Sequence, residues 1–299
     1  MSADPAVVAL ARRMLDGLQA PEGCGVLLAG SHARRSATEA SDLDLLILPP
    51  PGAAAAAVRV DGHGQPRFTF RNTLFERHLV LTSEIELDVE VVPDAAVERL
   101  AEVVRGVDAL RASDVDEVAT LQPLEARLLV RLAGGLPLAG GDRVRDVRER
   151  LRTDALPNLL MLDHYVSAMA CLEDALVAVP EGPGASTARL VRAMAARAAD
   201  EHLVLAALAY HGTLPVGLLA VPGILAELER SGVALPGWVT GAGALLLASD
   251  HRPAEQVYER AVELFRHFDE RGLMPGCVGY LRRFGRGRWR FDLSFLADR

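Results

Sequence analysis

Residues 4–19 carry apolar side chains at Val7, Val8, Leu10, Ala11, Met14, Leu15 and Leu18, a stripe near the helical period. An amphipathic helix is predicted, ended by Pro21, Gly23 and Gly25. The apolar pattern then shortens. Gly25–Ala29 is an apolar run bounded by glycine and reads as a buried strand. Gly30-Ser31 reads as a turn, and His32–Thr38 as a short helix whose N-terminus sits at Ser31. Asp42–Leu48 reads as a second strand, stopped by Pro49, Pro50 and Pro51. The alanine run 53–57 fits helix or loop equally. Arg67–Phe70 and Leu74–Leu81 look like strands. Ile85–Val92 alternates with period two, sending Glu86, Asp88 and Glu90 to one face and Leu87, Val89 and Val91 to the other. Pro93 ends it, and Asp94–Val104 reads as a helix with an aspartate cap.

Beyond about residue 111 long helical periodicities dominate: Pro123–Ala133, Asp142–Leu151, Pro157–Val179, Ser186–His211, Gly223–Ser231 and Pro253–Arg271. Gly134-Gly135, Gly140-Gly141 and Glu181–Gly184 separate them. The chain thus reads as α+β. A mixed-sheet domain is expected over residues 1–110, followed by an all-α bundle over 111–299, and no fixed-period repeat is apparent.

Composition narrows the chemistry. All 32 basic residues among the 299 are arginine. Without lysine there is no Schiff-base lysine and no P-loop lysine. Any cation that holds phosphate must be arginine, a metal, a helix N-terminus or a protonated histidine. Half of the chain is hydrophobic, which is ample for a core. A net charge of −8 argues against a whole-chain nucleic-acid coat. Cys24, Cys171 and Cys277 are far apart and make neither a disulfide framework nor a CxxC site. The N-terminus lacks the basic-then-apolar order of a signal peptide, and 234–249 is too short and broken to span a bilayer. A cytoplasmic protein with no membrane partner is expected.

One segment carries chemistry. It comprises Gly30-Ser31-His32-Ala33-Arg34, Ser41-Asp42-Leu43-Asp44-Leu45, and Asp88 on a later strand. A Gly-Ser turn opening a helix presents backbone N–H groups and a hydroxyl to an anion such as a terminal phosphate. Asp42 and Asp44 are two apart on a strand, so both carboxylates point to one face and suit Mg²⁺ bridged to phosphate oxygens. A third carboxylate on a neighbouring strand would complete a two-metal site.

This arrangement resembles the DNA polymerase beta nucleotidyltransferase superfamily, whose signature is Gly-Ser, a short helix, Asp-x-Asp, and a third acid on a later strand. The Gly-Ser-x-Ala-Arg and Ser-Asp-x-Asp-Leu forms are most similar to the small-molecule branch, which includes the aminoglycoside nucleotidyltransferases. The resemblance in motif covers residues 25–93. Arg35 departs from it, since many members have glycine there. The resemblance implies two Mg²⁺ ions and an NTP, ATP being favoured. Asp42, Asp44 and Asp88 would be catalytic and metal-ligating. Gly30, Ser31, Arg34 and Ser41 would lie in the NTP site. Glu86 and Glu90 share a face with Asp88; they could assist, although solvated strand positions suit them better.

The helical half would shape the acceptor pocket, with Asp163 and Asp174 as candidates there and Glu90 as a candidate from the strand; Asp163, Ser167 and Asp174 are spaced to share a helix face. Negative charge suits a cationic or neutral small-molecule acceptor better than RNA, so nucleic acid is not expected as a partner. The alternatives are transfer to a protein side chain or an RNA 3′ end, or a nucleotide-binding regulator without turnover. A homodimer is implied by the resemblance alone. The triphosphate would meet Arg34, Arg35, or one of Arg189, Arg192 and Arg197. Five arginines at 282, 283, 286, 288 and 290 are interleaved with aromatics and fit a packed C-terminal segment better than a nucleic-acid surface.

Overall fold

The computed structural model describes residues 4–33, 37–38, 41–60, 62, 66–112, 121–176, 182, 184–214, 221–240 and 253–270. Helix α1 spans Pro5–Asp16; Asp4 caps it, accepting from the Ala6 N–H at 2.8 Å, and Pro5 stands at its first turn. Strand β1 (Gly25–Leu28) leads into the short helix α2 (Gly30–Ala33), then β2 (Leu43–Leu48). A single 3-10 turn, Ala55–Ala57, follows. Strands β3 (Phe68–Arg71), β4 (Glu76–Leu81) and β5 (Glu86–Val91) come next, then helix α3 (Asp94–Ala112).

After α4 (Pro123–Gly134) the chain forms one more strand, β6 (Leu136–Ala139), before α5 (Gly141–Arg150). The later helices are α6 (Leu156–Leu176), α7 (Ala185–Tyr210), α8 (Val221–Arg230), α9 (Gly237–Thr240) and α10 (Ala254–Glu270). Among the described residues no helix is long and apolar enough to cross a membrane.

The strands make one mixed sheet in the order β3-β4-β5-β2-β1-β6, parallel between β2 and β5 and antiparallel elsewhere. One face is apolar. Val26, Leu28, Leu43, Leu45, Ile47, Val80, Leu87, Val89 and Val91 pack there with Ala11 and Met14 of α1. The opposite face carries Asp44, Asp88 and Glu90, and its register brings them side by side.

Two compact units divide the chain: 1–105 with 121–156, and 106–120 with 157–299. A sheet confined to residues 1–110 is therefore corrected: the sixth strand comes from 136–139 and pairs with β1. Leu136-Pro-Leu-Ala139 gives too short and too proline-broken a run for alternation to declare a strand. Gly140 lets the chain turn here. Its φ is +58°, and a Cβ on it would come within 2.0 Å of the Cys24 carbonyl oxygen. Helix α5 then fixes itself through buried Arg143, which donates to the Pro49 carbonyl at 3.0 Å and to Asp94 at 2.6 Å.

In the second unit, Tyr165 of α6 donates to the Ala261 carbonyl of α10 at 2.9 Å. Its ring meets Phe265 and Phe268. Asp200 of α7 pairs with Arg260 of α10 at 2.6 Å.

Candidate metal centre

The site grows from strand register. In the parallel pair β2–β5, Asp44 stands opposite Asp88 and Leu46 opposite Glu90. Residues opposed in register share a face, so Asp44, Asp88 and Glu90 lie on one side of the sheet. Asp42, just before β2, adds a carboxylate one alternation earlier. Oxygens of Asp42, Asp44 and Asp88 all lie within 4.8 Å of one another.

The backbone beside them is held closely. The Ala29 N–H donates to the Asp44 carbonyl at 2.9 Å, which ties the end of β1 to β2. Gly30 has a φ of +65°, and a Cβ there would sit 1.7 Å from Asp44 Oδ2. Glycine is thus required twice, for the left-handed backbone and for the approach of the Asp44 carboxylate. Ahead of Asp42, the Ser41 hydroxyl accepts from the Thr38 N–H at 2.9 Å, and His32 Nε2 lies 3.4 Å from the Ser41 carbonyl.

Two arginines hold the acids. Arg131, on α4, is 2% exposed; it reaches Asp44 at 2.6 Å through one nitrogen and Glu90 at 2.6 Å through another. Arg77, on β4, donates to both oxygens of Asp88 at 2.8 and 2.7 Å. Asp88 is 0% and Glu90 2% exposed, so Glu90 is not the solvated strand position that its alternation favours. Arg127 lies farther off, 3.9 Å from Glu90, so four carboxylates face three guanidiniums, two of them in close contact, and one negative charge is left over.

Burial raises the Asp44 pKa to about 6; Arg131 opposes the rise, and the charges of Asp42, Asp88 and Glu90 push it further up. Burial also raises Glu90, and here too Arg131 opposes while Asp88 adds to the rise. Carboxylates crowded into a buried cluster lack positive charge, and the donor set is all oxygen, as Mg²⁺ requires. Asp88 keeps coordinating capacity despite its two bonds to Arg77, since a carboxylate offers about four lone-pair sites. The residues present therefore fit a divalent cation.

The other expected residues fall as follows. Gly30 and Ser31 open α2 beside Asp44, and Ser41 borders Asp42. Arg34, Arg35 and the arginine-rich end lie outside the described residues. Asp163 and Asp174 lie on α6 in the second unit, Asp163 buried and Asp174 exposed. Arg192 pairs with Glu255 at 2.5 Å and Arg197 with Glu201 at 3.0 Å.

Arg77 and Arg131, which clasp the acids, were not among the expected site residues. The signal for Arg131 is a charge inside the apolar run Leu128–Leu132, where a lone arginine needs an acidic partner. Arg77 carried none beyond its alternation phase.

No family model matches the chain, and no curated protein matches it. A solved structure, that of a nucleotidyltransferase-like protein from Exiguobacterium sibiricum 255-15, aligns with a TM-score of 0.36 and 14% identity, over 93% of this chain and 78% of that one. A likeness at that score carries no inference about activity.

Proposed function

We propose that this chain is a Mg²⁺-dependent nucleotidyltransferase that moves AMP from ATP to an oxygen of a small-molecule acceptor. The observation that carries the reading is the set of Asp42, Asp44 and Asp88 oxygens within 4.8 Å of one another, beside the Gly30-Ser31 turn. Asp42 and Asp44 would hold an ion under the triphosphate, with Ser31 and Ser41 alongside. Asp88 would hold a second ion and face the acceptor oxygen. The bound ions would supply charge neutralisation at the phosphates and a lowered pKa at the acceptor hydroxyl.

The chain's own work is positioning. Arg131 fixes Asp44 from α4, and Arg77 fixes Asp88 from β4. In the overall reaction the acceptor oxygen bonds to the α-phosphorus. The bond from that phosphorus to the bridging oxygen breaks, pyrophosphate leaves with the electron pair, and the hydroxyl proton passes to solvent.

Pyrophosphate release from ATP with Mg²⁺ and a panel of hydroxylated acceptors tests the reading. Acceptor-dependent release is expected from the wild type and loss of at least a hundredfold in an Asp42→Ala/Asp44→Ala variant. Equal release from both proteins overturns the assignment.

A further inference from the structure

Past β5 the acid face of the sheet is apolar apart from Arg77. Asp44 is in register with Asp88, Asp88 with Leu79, and Leu79 with Phe68. The flanking row runs Leu46, Glu90, Arg77 and Phe70. On the other side Glu86 stands opposite Leu81. All these residues share one face. Phe68 is 54%, Phe70 44% and Leu81 53% exposed, so three large apolar side chains on that face meet solvent. With strands about 4.8 Å apart, Leu79 lies about 5 Å and Phe68 about 10 Å across the sheet from Asp88.

The order of strands decides what belongs there. β1, which leads into the Gly30-Ser31 turn, lies on one side of the β2–β5 pair that carries the acids; β4 and β3 lie on the other. A triphosphate at the turn leaves the β4–β3 side for the molecule that attacks it. The patch is also the wrong size for a protein: three side chains on two short strands fall well short of the roughly 20–30 residues a side that a stable protein interface uses. It suits one small molecule whose far end points toward Asp88, across Leu79 and past the Arg77 guanidinium that covers the Asp88 oxygens. Exposed apolar side chains, two of them aromatic, gain most by covering a flat apolar body.

We infer that Phe68, Phe70 and Leu81, with Leu79 between them and Asp88, form the acceptor platform. The acceptor it fits is an aromatic or alicyclic compound bearing a hydroxyl group, bound through its apolar body. This inference rests on the nucleotidyl-transfer reading above and names the acceptor class for it. The hydroxyl oxygen would bond to the α-phosphorus, pyrophosphate would depart with the electron pair, and the hydroxyl proton would go to solvent.

The test uses 2-naphthol as the apolar probe and the aminocyclitol glycoside neamine as the polar one, with full-length wild type, Phe68→Ala/Phe70→Ala, Phe68→Trp and Asp88→Asn proteins. Probe binding is followed by naphthol fluorescence without nucleotide, and transfer by pyrophosphate release with ATP and Mg²⁺. Naphthol should bind wild type and Phe68→Trp with similar affinity and the double alanine variant about tenfold more weakly, a change of about 1.4 kcal/mol, while Asp88→Asn should lose pyrophosphate release. Naphthol should also support release, with KM raised and kcat nearly unchanged in the alanine variant.

Unchanged naphthol binding in that variant overturns the platform. Release driven by neamine and not by naphthol overturns it too, while nucleotidyl transfer stands. Naphthol binding that needs Phe68 and Phe70, without release from any acceptor, keeps the platform as an apolar binding site and removes the transfer reading instead.

Discussion

Arg131 shows how one residue organises the acid face. Its guanidinium lies between Asp44 and Glu90 at 2.6 Å from each, almost wholly out of solvent. A planar fork can meet two carboxylates at once, which a point charge cannot. Removing it would leave two buried carboxylates without their closest cation. Arg131→Ala is therefore expected to lose about 3–5 kcal/mol of unfolding free energy, measured by urea denaturation. Mg²⁺ should restore part of that loss in Arg131→Ala and little in a variant that also carries Asp44→Asn. A loss under about 1 kcal/mol would mean that the two acids do not depend on the arginine. Gly30 works on the same carboxylate from below, since any side chain there would displace Asp44 Oδ2.

At the scale of elements, the parallel pairing of β2 and β5 is what makes a centre from residues 44 apart in sequence, Asp44 and Asp88. Much of this was legible. Apolar runs and alternation mark β1, β2 and β5, because a strand buried on both or one of its faces must show that pattern. Their phase puts Asp42 and Asp44 on one face, and Asp88 with Glu90 on one face. Strand β6 was not legible, because four residues with a proline show no alternation. Nor were the partners of the acids, because Arg77 and Arg131 reach them only through tertiary packing of β4 and α4. The burial of Glu90 follows from the same cause.

Helix pairing carries its own expectation. His164 of α6 and His202 of α7 bring their Nδ1 atoms to 3.2 Å, a contact that one proton can bridge and two cannot. Burial lowers the His164 pKa to about 3, helped by His202, and burial also lowers His202. Unfolded histidine takes up its proton near pH 6.5. The folded pKa is depressed, so the stability that this pair contributes is present above pH 6.5. It is lost progressively as pH falls from there toward about 3. A His164→Gln variant should therefore show a shallower decline of unfolding free energy than wild type over that interval, read from urea midpoints at successive pH values. Parallel declines would contradict a neutral buried pair.

On the scale of the whole molecule, the absence of lysine gains a structural counterpart. Among the described residues the cations paired with the acids are guanidiniums, and the two closest, Arg77 and Arg131, hold carboxylates in place. With Arg127 at 3.9 Å from Glu90 the face still keeps a surplus of negative charge, which favours a bound cation. The first compact unit contains the acids, both arginines and the apolar platform.

Manganese can report on this directly, replacing Mg²⁺ as a paramagnetic probe. Mn²⁺ binding would be followed by electron paramagnetic resonance, with and without a non-hydrolysable ATP analogue, in wild type and in an Asp42→Asn/Asp44→Asn variant. Two ions per chain in the presence of the analogue, and loss of both in the variant, are expected. Equal binding by the two proteins, or none by either, would contradict a metal centre at Asp42, Asp44 and Asp88.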